Sequence, residues 1–441
     1  MAALVGLLLV ALALLGAPLF SVLGGAGIAN FSGTDTSLVV LAEEHYKLAT
    51  NPHLITIPLF TLSGFLMAES RAADRLVRVS RALLGWLPGG LGIVVVASCA
   101  FFTTFTGASG VTIIALGGLL FPILTSERYP ERFSLGLITS SGSIGLLFPP
   151  SLPIILYGIV AATSIDQLFV AGIVPGMLFL LVLGGFSLVV GQKHKVNRTP
   201  FSLKEALGAT WSAKWELMVP VVVIVAIYGI PGVTRGLVTI AEASAICALY
   251  LVVVEVFVYR DIKIFSSDPA VPDLFKVTRE AMVMVGAIMI ILGVALGLTN
   301  YLVQEEVPMK ILAAIQGHIE SRTTFLLLLT VFLLVVGCLM DIFSAIIVVV
   351  PLITPIAEQY GIHPVHLGVI FLANLEIGYL TPPVGLNLFI SSLAFERPVV
   401  QLYRMALPFL LLMLAALLLI TFNEGLSLWL VEQWAPSGSG K

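Results

Sequence analysis

Two stretches of this chain place glycine and paired prolines inside otherwise apolar sequence. Ile144-Gly145-Leu146-Leu147-Phe148-Pro149-Pro150 returns 233 residues later as Ile377-Gly378-Tyr379-Leu380-Thr381-Pro382-Pro383. At the same spacing Gly64 meets Gly297, Pro122 meets Pro355 and Ile123 meets Ile356. The chemistry on offer is that of freed backbone. A proline cannot donate to the carbonyl four residues back, so Pro149 and Pro150 release the carbonyls of Gly145 and Leu146, and Pro382 and Pro383 those of Gly378 and Tyr379. Proline also begins helices well. Each stretch therefore reads as a broken helix whose second half aims free N–H groups and a partial positive charge into the protein. Unwound carbonyls suit a small hard cation and half-helix N-termini suit an anion; two such interruptions at matching places mark a transporter's binding site. The combination predicts coupled binding of sodium and an anionic solute.

Other polar residues fall in apolar surroundings nearby. Thr103, Thr104, Thr106 and Ser109 offer hydroxyls beside Gly107 and Gly110, and Ser140-Ser141-Gly142-Ser143 precedes the first break. Serines of this kind also serve helix packing in membranes. The second half offers Asp341, Ser344, Asn374, Glu376, Thr381 and Asn387. An acidic residue at membrane depth is functional by default. Asp341 can ligate a cation or cap the helix that follows it; Glu376 can pair with a cation or reach a protein partner. Thr239-Ile240-Ala241-Glu242 has capping-box spacing and reads as a helix start. His363 and His366 have no third ligand nearby and read as loop residues. Cys99, Cys247 and Cys338 lack metal-ligand spacing and read as packing residues. No phosphate-cradling loop, zinc-protease helix or nucleophilic triad is present, which excludes direct ATP drive by this chain. A membrane aspartyl protease would need a second aspartate at membrane depth, and none is there.

The elements that must hold these groups are membrane helices. The 441 residues are 59% hydrophobic and 11% charged, with mean hydropathy +1.08, whereas soluble domains carry roughly 25% charge. The net charge of −3 points away from nucleic acid. Apolar segments run near 3–24, 52–70, 88–124, 134–160, 168–190, 217–234, 236–259, 281–303, 324–356, 367–395 and 405–433. Segments 88–124 and 324–356 are too long for one crossing and too short for two, since a crossing takes about 20 residues. Each is interrupted, at 103–110 and at Gly337–Asp341. They are predicted to be re-entrant hairpins, tolerated only where buried in protein or facing water. Basic residues at 71–81, 193–214 and 260–279 place those stretches in the cytoplasm, with loop 25–50 and residues 304–306 outside. The N-terminus is then cytoplasmic and the C-terminus periplasmic. Five crossings separate the starts of the two copies, and an odd number makes them inverted repeats. A channel fits two opposed breaks less well than alternating access does. Residues 71–85 and 308–319 are expected to lie on the membrane surface as arms, and 200–216 is another cytoplasmic interfacial candidate. The expected organisation is a scaffold helix and periplasmic loop (1–51), a first repeat (52–190), linking cytoplasmic loop and scaffold helices (191–280), a second repeat (281–433) and a flexible end (434–441).

The stretches 105–124, 141–158, 239–245 and 364–392, together with Leu87-Pro88-Gly89-Gly90, resemble the large membrane (M) subunit of TRAP transporters, the tripartite ATP-independent periplasmic systems. The resemblance covers nearly the whole chain. It implies an all-α polytopic protein of the bacterial inner membrane that imports organic acids with sodium by an elevator motion. It implies no cofactor beyond sodium as coupling ion, and two partners: a periplasmic substrate-binding protein (P) and a separate small four-helix membrane (Q) subunit. Carried over by motif, one sodium site involves Thr106, Gly107 and Ser109 with Gly145, Phe148 and Pro149. The other involves Gly337, Met340 and Asp341 with Gly378, Thr381 and Pro382. The solute would sit between the tips, near Thr103, Thr104, Ser143, Pro150, Ser151, Ser344, Pro383 and Asn387. No arginine lies near either tip or break, so helix N-termini and hydroxyls would have to hold the acid group. The alternative is a stand-alone sodium/dicarboxylate symporter of the same inverted-repeat type that needs no binding protein.

Overall fold

A computed structural model describes residues 17–31, 51–196, 200–229, 238–266, 271–306 and 321–434, with isolated residues between these stretches. Among the described residues the chain is helical throughout and forms no sheet. In chain order the helices are α1 (Leu19–Phe31), α2 (Thr56–Glu69), α3 (Ala72–Leu84), α4 (Gly90–Thr106), α5 (Ser109–Ser126), α6 (Glu131–Ser141), α7 (Leu152–Val160), α8 (Ile165–Lys193), α9 (Leu203–Ser212), α10 (Lys214–Tyr228), α11 (Ile240–Val252), α12 (Leu274–Gln304), α13 (Arg322–Leu339), α14 (Ile342–Gln359), α15 (Pro364–Gly378), α16 (Leu386–Ala394), α17 (Val399–Phe422) and α18 (Gly425–Trp434). Seven helices among the described residues are long and apolar enough to cross a membrane, nine if each bent pair counts as one span. The protein is a multi-pass membrane protein.

The long segments fold where their sequence turns polar. Segment 88–124 becomes α4 and α5, which part at Gly107 in the left-handed region (φ 62°). Segment 324–356 becomes α13 and α14, which part at Met340 and Asp341. The first broken span runs α6, a 3₁₀ turn over Ile144–Leu147, then α7, with a 48° bend. The second runs α15, an irregular stretch through Pro382 and Pro383, then α16. Both Pro-Pro bonds are cis. The second half of each broken span packs on the returning limb of the other hairpin, α7 on α14 and α16 on α5.

Several boundaries differ from expectation. Segment 405–433 is two helices, because Asn423 Oδ1 accepts from the Gly425 N–H at 3.1 Å and starts a new helix. At ten residues α18 is about 15 Å long and cannot cross a core of about 30 Å. Helix α12 begins at Leu274, inside the expected 260–279 loop, where Asp273 Oδ1 accepts from Lys276 N at 2.8 Å and caps it. Helix α1 continues to Phe31, past the expected end at 24. The rest of segment 3–24 and of loop 25–50, most of arm 308–319 and the end from 435 lie outside the described residues. The 200–216 candidate is α9 plus the first turn of α10, joined at a 64° bend. The capping box at Thr239 and Glu242 forms.

Arm 71–85 is the helix α3, and one residue ties it down. The Arg75 guanidinium bonds Glu216, Glu255 at 3.2 Å and Asp261 at 2.6 Å, and stacks 3.9 Å from the Tyr259 ring centroid. Burial alone would lower the Arg75 pKa, but the bond to Asp261 and the carboxylates of Glu216 and Glu255 hold it above its ordinary value. Removing one partner from such a buried cluster strands charge, so the arm is clamped to the elements around α10 and α11.

Candidate transport site

Each hairpin tip lies against the break of its own half, but the contacts differ. In the first half Thr103 Oγ1 lies 2.8 Å from Cys99 O in its own helix, 2.9 Å from Gly142 O and 2.7 Å from Thr112 Oγ1, while Thr104 Oγ1 is shared between Ala100 O in its own helix at 2.8 Å and Gly145 O at 3.2 Å. Gly145 is so close to α4 that an added Cβ would stand 2.3 Å from Ala100 O. In the second half the corresponding contact is backbone on backbone: a Cβ on Gly378 would stand 2.6 Å from Gly337 Cα. The chain after the second break returns to the tip through Gly385 N–H, which donates to Cys338 O at 3.1 Å. The carbonyls expected to be free at the two glycines are partly recaptured. Gly145 O accepts from Phe148 N–H at 3.0 Å and Gly378 O from Thr381 N–H at 2.9 Å, because the chain tightens to i→i+3 bonds at the break.

Asp341 caps α14, accepting from Phe343 N at 3.0 Å and Ser344 N at 3.1 Å and from the Ser344 hydroxyl. This realises the capping role and leaves the carboxylate exposed at the tip. The Tyr379 hydroxyl accepts from Ile342 N–H at 2.6 Å, pinning the second break to the same turn. The two halves then meet. Ser143 Oγ donates to Glu376 O at 3.5 Å, across the 233-residue spacing itself, and Asn387 Nδ2 donates to Ser143 Oγ at 3.3 Å.

Between the tips lies a cavity of about 230 Å³. Its lining is matched: Ala108, Ser109 and Gly110 from the first tip answer Asp341, Ile342 and Phe343 from the second, and Leu146 from the first break answers Tyr379 from the second. The spans also bury polar side chains at or beside the breaks, among them Ser140, Ser141, Ser151, Asn374, Glu376 and Asn387. Buried polar groups of this kind need hydrogen-bond partners, so they are concentrated where the backbone is irregular.

Residues 5–426 match the family described as tripartite ATP-independent periplasmic transporter, DctM component. This chain belongs to that family. It is 35% identical over 386 residues, 87% of this chain and 86% of the relative, to the C4-dicarboxylate TRAP transporter large permease protein DctM of Pseudomonas aeruginosa. It is 31% identical over 94% of this chain and 96% of the relative to the ectoine TRAP transporter large permease protein TeaC of Halomonas elongata. With the isethionate TRAP transporter permease protein DctMQ of Oleidesulfovibrio alaskensis it shares 35% identity over 84% of its own length but only 56% of that relative's. Among solved structures, the Alcanivorax borkumensis YdaH transporter, described as having an unusual topology, matches with TM-score 0.56 at 17% identity over 98% of this chain and 99% of that one. That likeness is one of fold.

In this TRAP permease the expected site residues sort into four groups. Gly107, Ser109 and Asp341 line the cavity. Thr103, Thr104, Ser143, Pro150, Ser151 and Asn387, expected beside the solute, are buried and do not line it; Thr103 and Thr104 instead brace the first break. Phe148 and Pro149 line a separate apolar cavity of about 300 Å³ against α10. Thr106, Met340, Gly337, Gly378, Thr381, Ser344, Pro382 and Pro383 sit at the tips and breaks without lining the 230 Å³ cavity. Sequence reasoning missed Tyr379 and the pair Leu386 and Ile390, which close the cavity from the second broken span. Tyr379 lies within the repeated motif, so that signal was present; Leu386 and Ile390 carried none. His363 caps α15 through Val365 N–H, and His366 bonds Ser427 and Thr421 O.

Proposed function

We propose that this permease is a sodium-coupled importer of an organic acid, working by an elevator motion with a periplasmic binding protein and a Q subunit. The observation that carries the reading is the matched cavity, in which both tips and both breaks converge on one 230 Å³ space. The contact of Ser143 with its counterpart Glu376 supports an approximate two-fold relation between the halves. Two hairpin tips meeting at one point fit inverted repeats, each entering from its own side and returning. The proposed cation sites are Thr106, Gly107 and Ser109 with Gly145, Phe148 and Pro149, and Gly337, Met340 and Asp341 with Gly378, Thr381 and Pro382. The solute occupies the cavity between them, with the N-terminus of α5, which carries no side-chain cap, toward its acid group. Relatives named for C4-dicarboxylate and isethionate act on organic anions, which matches that polarity. The N-terminus is assigned to the cytoplasm and the C-terminus to the periplasm.

The test is uptake of a labelled organic acid into proteoliposomes holding the permease with its Q partner, with binding protein outside. Transport is expected to need both an inward sodium gradient and the binding protein. Transport without the binding protein would establish the stand-alone symporter instead, and transport indifferent to sodium would remove the cation sites.

A further inference from the structure

A second cavity, of about 520 Å³, shares no residue with the transport site. It is lined by Glu131, Arg132, Arg397, Gln401, Arg404 and Met405, where the start of α6 meets the start of α17. The crossing is tight: Gly136, one turn beyond Arg132, packs so closely that a Cβ there would stand 2.3 Å from Met405 O. Within the cavity Glu131 is already engaged, accepting from Arg397 at 2.7 and 3.0 Å. Arg132 and Arg404 are exposed and make no ion pair among the described residues. Two uncompensated guanidinium groups thus face one polar recess.

What lies beside them defines the occupant. Helix α17 is a membrane span of 24 residues, and Arg404 sits about 8 Å inside its start at 1.5 Å per residue, the depth of a headgroup layer. Val400, Arg404, Leu407 and Leu411 fall at helical spacing on one face. The three apolar members are 59%, 50% and 57% exposed. A stripe of bare leucine that ends in unpaired arginine presents an acyl-chain track leading to an anion subsite. In the bilayer acyl chains cover that stripe, so the arginine at its end stands where a lipid headgroup lies. Basic recesses between membrane helices are suited to acidic headgroups. We infer that the α6–α17 recess binds the phosphate headgroup of an acidic phospholipid, with an acyl chain laid along Leu407 and Leu411. Arg132 and Arg404 clamp the phosphate, and the Arg397–Glu131 pair closes the wall. The site owes nothing to the solute or to sodium.

The experiment is native mass spectrometry of the full chain in detergent, offered phosphatidylglycerol or phosphatidylcholine of the same acyl length. The parent is expected to retain phosphatidylglycerol over phosphatidylcholine by roughly tenfold. The R132Q/R404Q variant should lose that preference, and the R132K/R404K variant, which keeps the charge, should hold most of it and report that the fold is intact. Equal retention of the two lipids by the parent, or an undiminished preference in R132Q/R404Q, overturns the assignment. A third arm offers inorganic phosphate alone. Thermal protection of the parent by phosphate that R132Q/R404Q loses, with no lipid preference, would make this a soluble-oxyanion site and overturn the lipid assignment too.

Discussion

The two halves of this permease build one cavity from matching backbone and different side chains. Where the first hairpin faces its break with Thr104, the second, 233 residues on, does so with Gly337. Thr104 spans the gap with a hydroxyl bond to Gly145 O; Gly337 removes the gap, so that its backbone touches Gly378. The tips diverge as well. Helix α5 is preceded by Ala108, which offers no side-chain cap, and α14 by the equivalent Asp341, which caps it. Pro149 and Pro150 are buried, while Pro382 and Pro383 are exposed. One half is sealed with neutral hydroxyls, and the other carries a carboxylate at its tip beside exposed prolines at its break. The backbone breaks are thus what the two halves share, and the exposed carboxylate at a tip belongs to the second half alone.

The sharpest way to break this comparison is to fill the glycines. Gly145→Ala would press a methyl against Ala100 O at 2.3 Å and Thr104 N at 2.5 Å, and Gly378→Ala against Gly337 Cα at 2.6 Å. Backbone atoms cannot swing aside, so each should cost at least about 1–3 kcal/mol, lower the unfolding temperature in detergent and abolish uptake. Gly118→Ala, in the same hairpin as the first tip but with nothing within 4 Å, should leave uptake unchanged and stabilise the helix by up to about 1 kcal/mol. If Gly378→Ala transported like the parent, close backbone contact would not be what holds the second tip.

Next in size comes Asp341, where cap and charge can be separated. Asparagine caps as well as aspartate does, while alanine loses about 1 kcal/mol. Asp341→Asn is therefore expected to unfold at the parent's temperature but to need several-fold more sodium for half-maximal uptake. Asp341→Ala should show both losses. An unchanged sodium requirement in Asp341→Asn would reduce the carboxylate to a cap and erase the electrostatic difference between the halves.

How much of this was legible in the sequence follows from what each feature depends on. The breaks and hairpin turns come from local backbone chemistry, proline without a donor and glycine without a Cβ, and both were readable at Gly107, Pro149 and Pro382. The convergence of the tips followed from the repeat. What the sequence did not disclose were directions set by tertiary packing. Thr103 and Thr104 looked like solute ligands because hydroxyls near a tip look alike in a string; only the approach of Gly142 and Gly145 turns them toward carbonyls. The split of 405–433 hung on a single Asn423 turn inside an apolar run, too weak a signal against the surrounding leucines.

Thr104 gives the smallest effect and the finest test of the contrast. In Thr104→Val the shape is nearly kept and the hydroxyl is lost, but Gly145 O keeps its bond from Phe148 N–H. The carbonyl is therefore not orphaned, and the loss should be near the ordinary net value of about 1 kcal/mol, with Thr104→Ser close to the parent. The same logic predicts that sodium dependence barely moves, since a brace acts on the position of the break and contributes no charge. A several-fold change in the sodium requirement of Thr104→Val, without loss of thermal stability, would instead make the Thr104 hydroxyl a cation ligand, and the first half would then bind its ion by the very group that here appears as a strut.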